Sequence, residues 1–376
     1  MQISDLGEFG LIDHLTSSIK LENDSTLRGI GDDCAVLDCS KQHRTVITTD
    51  MLMEGIHFDL VYTPFKHLGY KAAMVNLSDV YAMGCTPHQL LVSIAMDRRI
   101  TVEALEDFYA GLRLACERHH VDIVGGDTTS SITGLAISIT AIGSPTFGNK
   151  SEVPASPDRG GDHSWDEPIL RSGAKDTDLI CVSGNLGAAY LGLQLMEREK
   201  QIYLSQLREA ESKAGSVRGS SAASLQFAPD FSGKEYLLER FLKPEARRDI
   251  IEALQKTGVH PTSMMDISDG LSSELLHICK ASNCGCRLYE ERIPIDYQTA
   301  VTAEEFNMNL YTCALNGGED YELLFTVPLT DHDRVAAMDD VKIIGHITRP
   351  ELGAQLVTRD GNEFPLQAQG WNHGEK

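Results

Sequence analysis

Five short segments of this chain carry the residue types that hold hard cations. They are Gly29-Ile-Gly-Asp-Asp33, Thr48-Thr-Asp50, Asn76-Leu-Ser-Asp79, Gly125-Gly-Asp127-Thr-Thr129 and Asp266-Ile-Ser-Asp269-Gly270. Each sets a carboxylate beside Gly, Ser, Thr or Asn, mostly at the edge of an apolar run. Mg²⁺ takes oxygen ligands and is usually shared with substrate phosphates, so carboxylates converging from separate loops point to metal-dependent phosphate chemistry. A single Asp before Gly is more often a turn or a helix cap. Five such segments in one chain are harder to account for in that way.

A phosphate bound to so acidic a chain needs backbone N–H donors, metal ions and at least one fixed positive charge. Gly125-Gly126 and Gly317-Gly318 allow the close backbone approach that the first requires. Asp33, Asp50, Asp79 and Asp127, read at loop or helix positions above one sheet edge, supply the second. Asp266 and Asp269, with Ser268 between them at the start of a helix, add carboxylates and helix N-terminal donors. Arg171, isolated in Arg171-Ser-Gly-Ala-Lys175, is the candidate for the third. On spacing alone, His57 reads as an ordinary core or surface histidine, and Cys34 as a packed small side chain. The chain has no Gly-x₄-Gly-Lys-Ser/Thr loop and no kinase-type glycine loop with its lysine strand, which excludes the two common phosphotransferase classes.

The elements that must position these residues alternate. Thr45 to Thr48 reads as a strand running into Thr49 and Asp50. A helix over 67–83 puts Asn76 and Asp79, three apart, on one face. A second helix over 101–118 has Thr101 as its N-cap. Strands are expected at 121–124, ending in the Gly125-Gly126 loop, and at 135–142. Residues 146–168 lose all periodicity and read as a loop or link. A strand at 179–183 turns into a helix over 188–199, residues 211–233 read as a flexible insertion, and a helix follows at 244–256. Residues 262–328 give strand, Asp-rich loop, helix, strand, glycine loop and a final strand. The predicted architecture is α/β in two α+β units: a domain over 1–145, a link over 146–178 and a domain over 179–376, with an insertion at about 201–235.

The chain has 376 residues, 42% of them hydrophobic, which is long for one core and suits two. Its 33 basic and 55 acidic residues leave a net charge of −22, which argues against binding nucleic acid or anionic membrane surfaces. No apolar run approaches the ~20 residues of a membrane helix. The opening residues lack the basic-then-apolar pattern of a secretory leader, and the nine irregularly spaced cysteines read as reduced thiols. Together these predict a cytoplasmic location.

With their neighbours, the segments resemble the thiamine-monophosphate kinase family, in the superfamily of aminoimidazole ribonucleotide synthetase. The residues that carry the likeness are 29–37 (Gly-Ile-Gly-Asp-Asp-Cys-Ala-Val-Leu), 48–58 (Thr-Thr-Asp-Met-Leu-Met-Glu-Gly-Ile-His-Phe), 71–84, 124–129, 171–175, 266–271 and 317–323, in that order. The resemblance implies ATP-dependent phosphorylation of thiamine monophosphate to thiamine diphosphate, the last step of thiamine diphosphate biosynthesis, by direct in-line transfer assisted by several Mg²⁺ ions. It implies a homodimer built through the N-terminal sheet, with the C-terminal domain closing over the site. Carried over by residue, it implies Asp33, Thr48, Thr49, Asp50, Asp79, Asp127, Asp266 and Asp269 as the magnesium set. Tyr109, Gly126, Asp127, Arg171 and Ser268 become nucleotide contacts, and His57, Glu319 and Trp371 substrate contacts. Asp50, Asp127 and Arg171 are then the residues on which turnover depends most. The N-terminal 28 residues hold no cysteine, which argues against a selenophosphate synthetase, and Met53-Glu-Gly-Ile-His57 favours the thiamine enzyme over either rival of the superfamily.

Overall fold

A computed structural model describes residues 26–28, 31–40, 43–145, 165–214, 229 and 231–368. The first domain is a six-stranded sheet. Its strands are β1 (Thr26–Arg28), β2 (Ala35–Ser40), β3 (His43–Met53), β4 (Cys85–Met96), β5 (Asp122–Ser130) and β6 (Ala136–Pro145), in the order β1-β2-β3-β6-β4-β5. Among the described residues, two helices, α1 (Phe65–Ala82) and α2 (Val102–His119), pack with it. As expected, the Thr101 side chain caps α2, accepting from Ala104 N–H at 3.3 Å.

Strand periodicity decides which side chains of β3 reach the site. Val46, Thr48, Asp50 and Leu52 alternate onto the face covered by α1, whereas Thr49 and Met51 face the open side. Thr48 and Asp50 are thus polar residues on a core face, where an apolar residue would otherwise sit.

The second domain is built on a seven-stranded sheet in the order β13-β12-β9-β11-β7-β10-β8. Its strands are β7 (Leu179–Ser183), β8 (Ser263–Asp266), β9 (Gly285–Tyr289), β10 (Leu323–Val327), β11 (Val341–Thr348), β12 (Ala354–Val357) and β13 (Glu363–Pro365). The helices are α3 (Ala188–Ala214), α4 (Glu235–Leu242), α5 (Arg248–Thr257), α6 (Leu271–Ser282), α7 (Tyr297–Glu305), α8 (Leu310–Asn316) and α9 (His332–Ala336). Alternate residues of the central strands serve two cores. Leu179, Cys181, Leu323 and Phe325 pack with the first domain, while Ile180, Val182 and Leu324 pack with α6.

Helix α1 therefore lies between the two sheets, which is why it is apolar nearly all round and buried along most of its length. Leu68, Met74, Leu77 and Val80 are wholly buried, each contributing about 1.5–3 kcal/mol. α1 and α2 approach until their backbones touch: a Cβ on Gly111 would stand 1.8 Å from the Lys66 carbonyl oxygen. Gly111→Ala must force the helices apart, at a cost of about 1–3 kcal/mol or more. The melting temperature should fall by several degrees in thermal denaturation; an unchanged value would contradict this packing.

Three expectations on local structure are corrected. The strand expected to end at Val124 runs on as β5 through Gly125, Gly126 and Asp127, because each residue pairs with β4. Gly126, with φ of +152°, lets the β4 backbone approach so closely that a Cβ would meet Val92 O at 1.8 Å. The helix expected over 188–199 extends to Ala214, so part of the anticipated 201–235 insertion is helical. The helix expected from Pro244 begins at Arg248. Residues 146–164 and 215–228, within the expected link and insertion, lie outside the described residues, as do Gly29 and Ile30. No helix among the described residues is long and apolar enough to cross a membrane.

Candidate active site

Three carboxylates from three elements meet where the domains join. Asp33 stands in the turn between β1 and β2, Asp79 in the last turn of α1, and Asp266 at the end of β8. One oxygen from each lies within 4.8 Å of the others. At an effective dielectric of about 20, each ionised pair at that separation repels by roughly 3–4 kcal/mol.

Neighbouring donors hold these acids in place. Thr48 Oγ1 donates to Asp79 Oδ2 at 2.5 Å, and Ser78 Oγ to Asp266 Oδ2 at 2.6 Å. Asp50 N–H donates to Asn76 Oδ1 at 3.1 Å, so Asn76 and Asp79 share one face of α1 as their spacing predicted. Asp50 Oδ2 is buried without a hydrogen-bond partner. A buried, unpaired carboxylate oxygen beside like charges is costly unless a cation meets it. The electrostatics agree: burial first, then Asp33, raises the Asp50 carboxyl to about 6. The same two causes raise Asp266 to about 7 against the Ser78 hydrogen bond, while burial and Asp50 push Asp79 well above the usual range. This oxygen-only donor set fits a hard divalent cation.

Arg171 supplies the fixed positive charge. Its Nη2 lies 2.7 Å from Asp33 Oδ1, and its backbone N–H donates to Asp32 Oδ1 at 2.7 Å. Burial opposes its charge, but Asp33, Asp32 and Asp266 together more than offset this and the guanidinium stays protonated. Cys34 is 2% exposed beneath these acids, and burial raises its thiol well above the ordinary value, so it packs and does not attack.

A cavity of about 640 Å³ opens from this cluster. Of the residues singled out in the sequence, Asp33, Thr48, Thr49, Asp50, His57, Asp79, Arg171, Asp266, Ser268, Asp269 and Glu319 line it. Thr49 is set apart by its strand face: its hydroxyl donates to Ile139 O at 3.0 Å. His57 Nδ1 accepts from Met53 N–H at 3.0 Å, so the neutral ring carries its proton on Nε2. Ser268 lies in the loop before α6, and its carbonyl accepts the Glu319 N–H at 2.6 Å.

Tyr109, Gly126 and Asp127 do not line the cavity. Tyr109 lies on α2, edge-on to Phe108. Asp127 pairs with Ser93 on β4, with β6 standing between β4 and β3. It is therefore three strand spacings, about 14 Å, from β3. All nine residues of β5 are exposed, Val124 by 56%. Trp371 lies outside the described residues.

The cavity has a second wall that the sequence reading missed. Tyr62 Oη donates to Glu197 Oε1 at 2.7 Å, and Lys200 Nζ lies 2.7 Å from Asp59 Oδ2, joining α3 to the first domain. Tyr62 also sits 6.3 Å from the Phe241 ring. Partners 135 and 141 residues apart leave no local signal.

Comparison with known proteins finds relatives over nearly the whole chain. Residues 31–144 match the N-terminal domain, and residues 210–355 the C-terminal domain, of AIR synthase related protein. The chain is 31% identical to the thiamine-monophosphate kinase of Aquifex aeolicus, over 99% of this chain and 100% of the relative. It is 30% identical to that of Buchnera aphidicola subsp. Schizaphis graminum, over 98% and 99%. Among solved structures, AaThiL complexed with AMPPCP and TMP matches with a TM-score of 0.76 and 30% identity, covering 99% of each chain. The chain belongs to the thiamine-monophosphate kinase family.

Proposed function

We propose that this member of the family transfers the γ-phosphoryl group of ATP to the phosphate of thiamine monophosphate, giving thiamine diphosphate. The observation that carries the reading is the meeting of Asp33, Asp79 and Asp266 beside Arg171, in a cavity that also holds His57 and Glu319. The relative solved with AMPPCP and TMP supports the same pair of ligands.

The chemistry asked of the chain is modest. The acceptor phosphate has a second pKa of roughly 6, as phosphate monoesters do, so its oxygen is already anionic near neutral pH and needs no strong base. The barrier is repulsion between two anions and the charge that develops on transfer. Mg²⁺ ions held by Asp33, Asp50, Asp79, Asp127, Asp266 and Asp269, with oxygens of Thr48 and Thr49, would neutralise that charge. Arg171 carries a permanent positive charge for the polyphosphate. Ser268 and the backbone at the start of α6 offer donors to the nucleotide phosphates. His57 and the Glu319 carboxylate hold the acceptor in line. Trp371 is the proposed aromatic contact to it.

Tyr109, Gly126 and Asp127 fit the same reading in a homodimer. The exposed β5 is an edge strand of the kind that proteins cover, and a second copy seated there could carry these nucleotide contacts to its neighbour's cavity. The proposed domain limits stay at 1–145, 146–178 and 179–376.

A coupled assay tests the function. ADP release should depend on thiamine monophosphate, with thiamine diphosphate as product and loss of both on chelation of divalent metal. ATP turnover indifferent to that acceptor would overturn the reading. Arg171→Ala should raise the KM for ATP about 10- to 100-fold, as expected for loss of charge-assisted hydrogen bonds. Steady-state kinetics with ATP varied would reveal this, and an unaltered KM would remove Arg171 from the nucleotide site.

A further inference from the structure

Helix α1 grips the second domain at two points. Ser78 holds Asp266, and two turns earlier Lys71 Nζ lies 3.1 Å from Glu319 Oε2. Seven residues of helix separate the two grips by about 10 Å. The helix cannot easily shift, because it is buried between two sheets and a Cβ on Gly69 would meet Phe108 O at 1.9 Å. It therefore sets the spacing between the carboxylate cluster and Glu319.

The backbone around Glu319 is already committed. Gly318, Glu319 and Tyr321 have φ of +70°, +58° and +51°, and for the two non-glycine residues this is a disfavoured conformation. The loop holds it by donating Glu319 N–H to Ser268 O and Tyr321 N–H to Ile267 O, the latter at 2.8 Å. These bonds fix the chain but not the carboxylate, which lies beyond three rotatable bonds. The cavity is lined with other carboxylates, Asp266 and Asp269 among them, against which a loose Glu319 side chain would be repelled.

Lys71 is placed to prevent that. Its side chain is 4% exposed and that of Glu319 26%, so the ammonium stands behind the carboxylate and away from the opening. Its Nζ also lies 4.4 Å from the centroid of the Phe241 ring. We propose that Lys71 is a positioning residue, which fixes the Glu319 carboxylate toward the acceptor through an ion pair between the domains. The inference rests on the reading of Glu319 as a contact to thiamine monophosphate.

A double-mutant cycle tests it with K71M, E319Q and the pair together, measuring KM for each substrate and kcat. K71M should raise the KM for thiamine monophosphate roughly 10-fold, the loss expected of one charge-assisted hydrogen bond, and leave the KM for ATP unchanged. The double variant should be no worse than E319Q alone, because Lys71 acts through Glu319. K71R, which keeps the charge, should restore most of the affinity. Should K71M fail to fold, K71Q carries the same cycle with an uncharged amide NH2 in place of the ammonium. Impaired E319Q with additive effects of the two changes would overturn the positioning role alone. E319Q with an unchanged KM for thiamine monophosphate would remove the Glu319 reading, and this inference with it.

Discussion

Asp50→Asn should remove most turnover while stabilising the metal-free protein. The expected fall in kcat is about 10²–10³-fold, the scale seen when one preorganised group that stabilises transferring charge is lost. The gain in stability follows from the unpaired, buried Oδ2 and from the neighbouring Asp33. The folded Asp50 carboxyl titrates near 6, above the ~3.9 of an unfolded aspartate. A raised acid favours the folded state below the unfolded value, and that advantage is lost as pH rises through the folded value. The penalty on the wild type at pH 8 is on the order of 2–3 kcal/mol. Without metal, the melting temperature of the variant should exceed that of the wild type at pH 8, and the gap should shrink toward pH 4. Mg²⁺ should reverse the order, because it binds the deprotonated acids of the wild type more strongly. Full activity in the variant, or a gap that ignores both pH and Mg²⁺, would refute Asp50 as a metal ligand.

Subunit mixing should show the second large effect. Asp127→Asn should be nearly inactive alone, as should Asp50→Asn. In a two-fold dimer whose sites take Asp50 from one copy and Asp127 from the other, a mixed pair has one site with both changes and one with neither. Co-expression in equal amounts should therefore recover about a quarter of wild-type activity, since half of the dimers are mixed and each has one intact site. Activity that stays at the level of the separate variants would mean that each site is complete within one chain. Asp127 lies on a strand whose nine residues are all exposed, and outside the cavity of its own chain, which is what makes this experiment informative.

The residue types of the site were legible because their chemistry is local. A carboxylate beside Gly, Ser or Thr at the end of an apolar run can be recognised without knowing its neighbours in space. The shared face of Asn76 and Asp79 followed from helix spacing alone, and the structure gives each a partner on β3. Strand boundaries were less legible near Gly125 and Gly126. Two glycines suggest a loop, yet pairing with β4 carries β5 through them and requires glycine at 126. Thr48 and Thr49 were indistinguishable as letters, and strand alternation sends them to opposite faces.

The sequence by itself determined the class of chemistry, the two-domain α/β architecture and the family, since these rest on composition, periodicity and ordered motifs. Only the tertiary structure decided which of the acids meet. Asp33, Asp79 and Asp266 converge because the β1–β2 turn, the end of α1 and the end of β8 meet where the domains join, while Asp127 is held off by two intervening strands. The same packing pairs Lys71 with Glu319 across 248 residues of chain. A contact of that range depends on how two domains dock, and nothing in the letters around either residue encodes it.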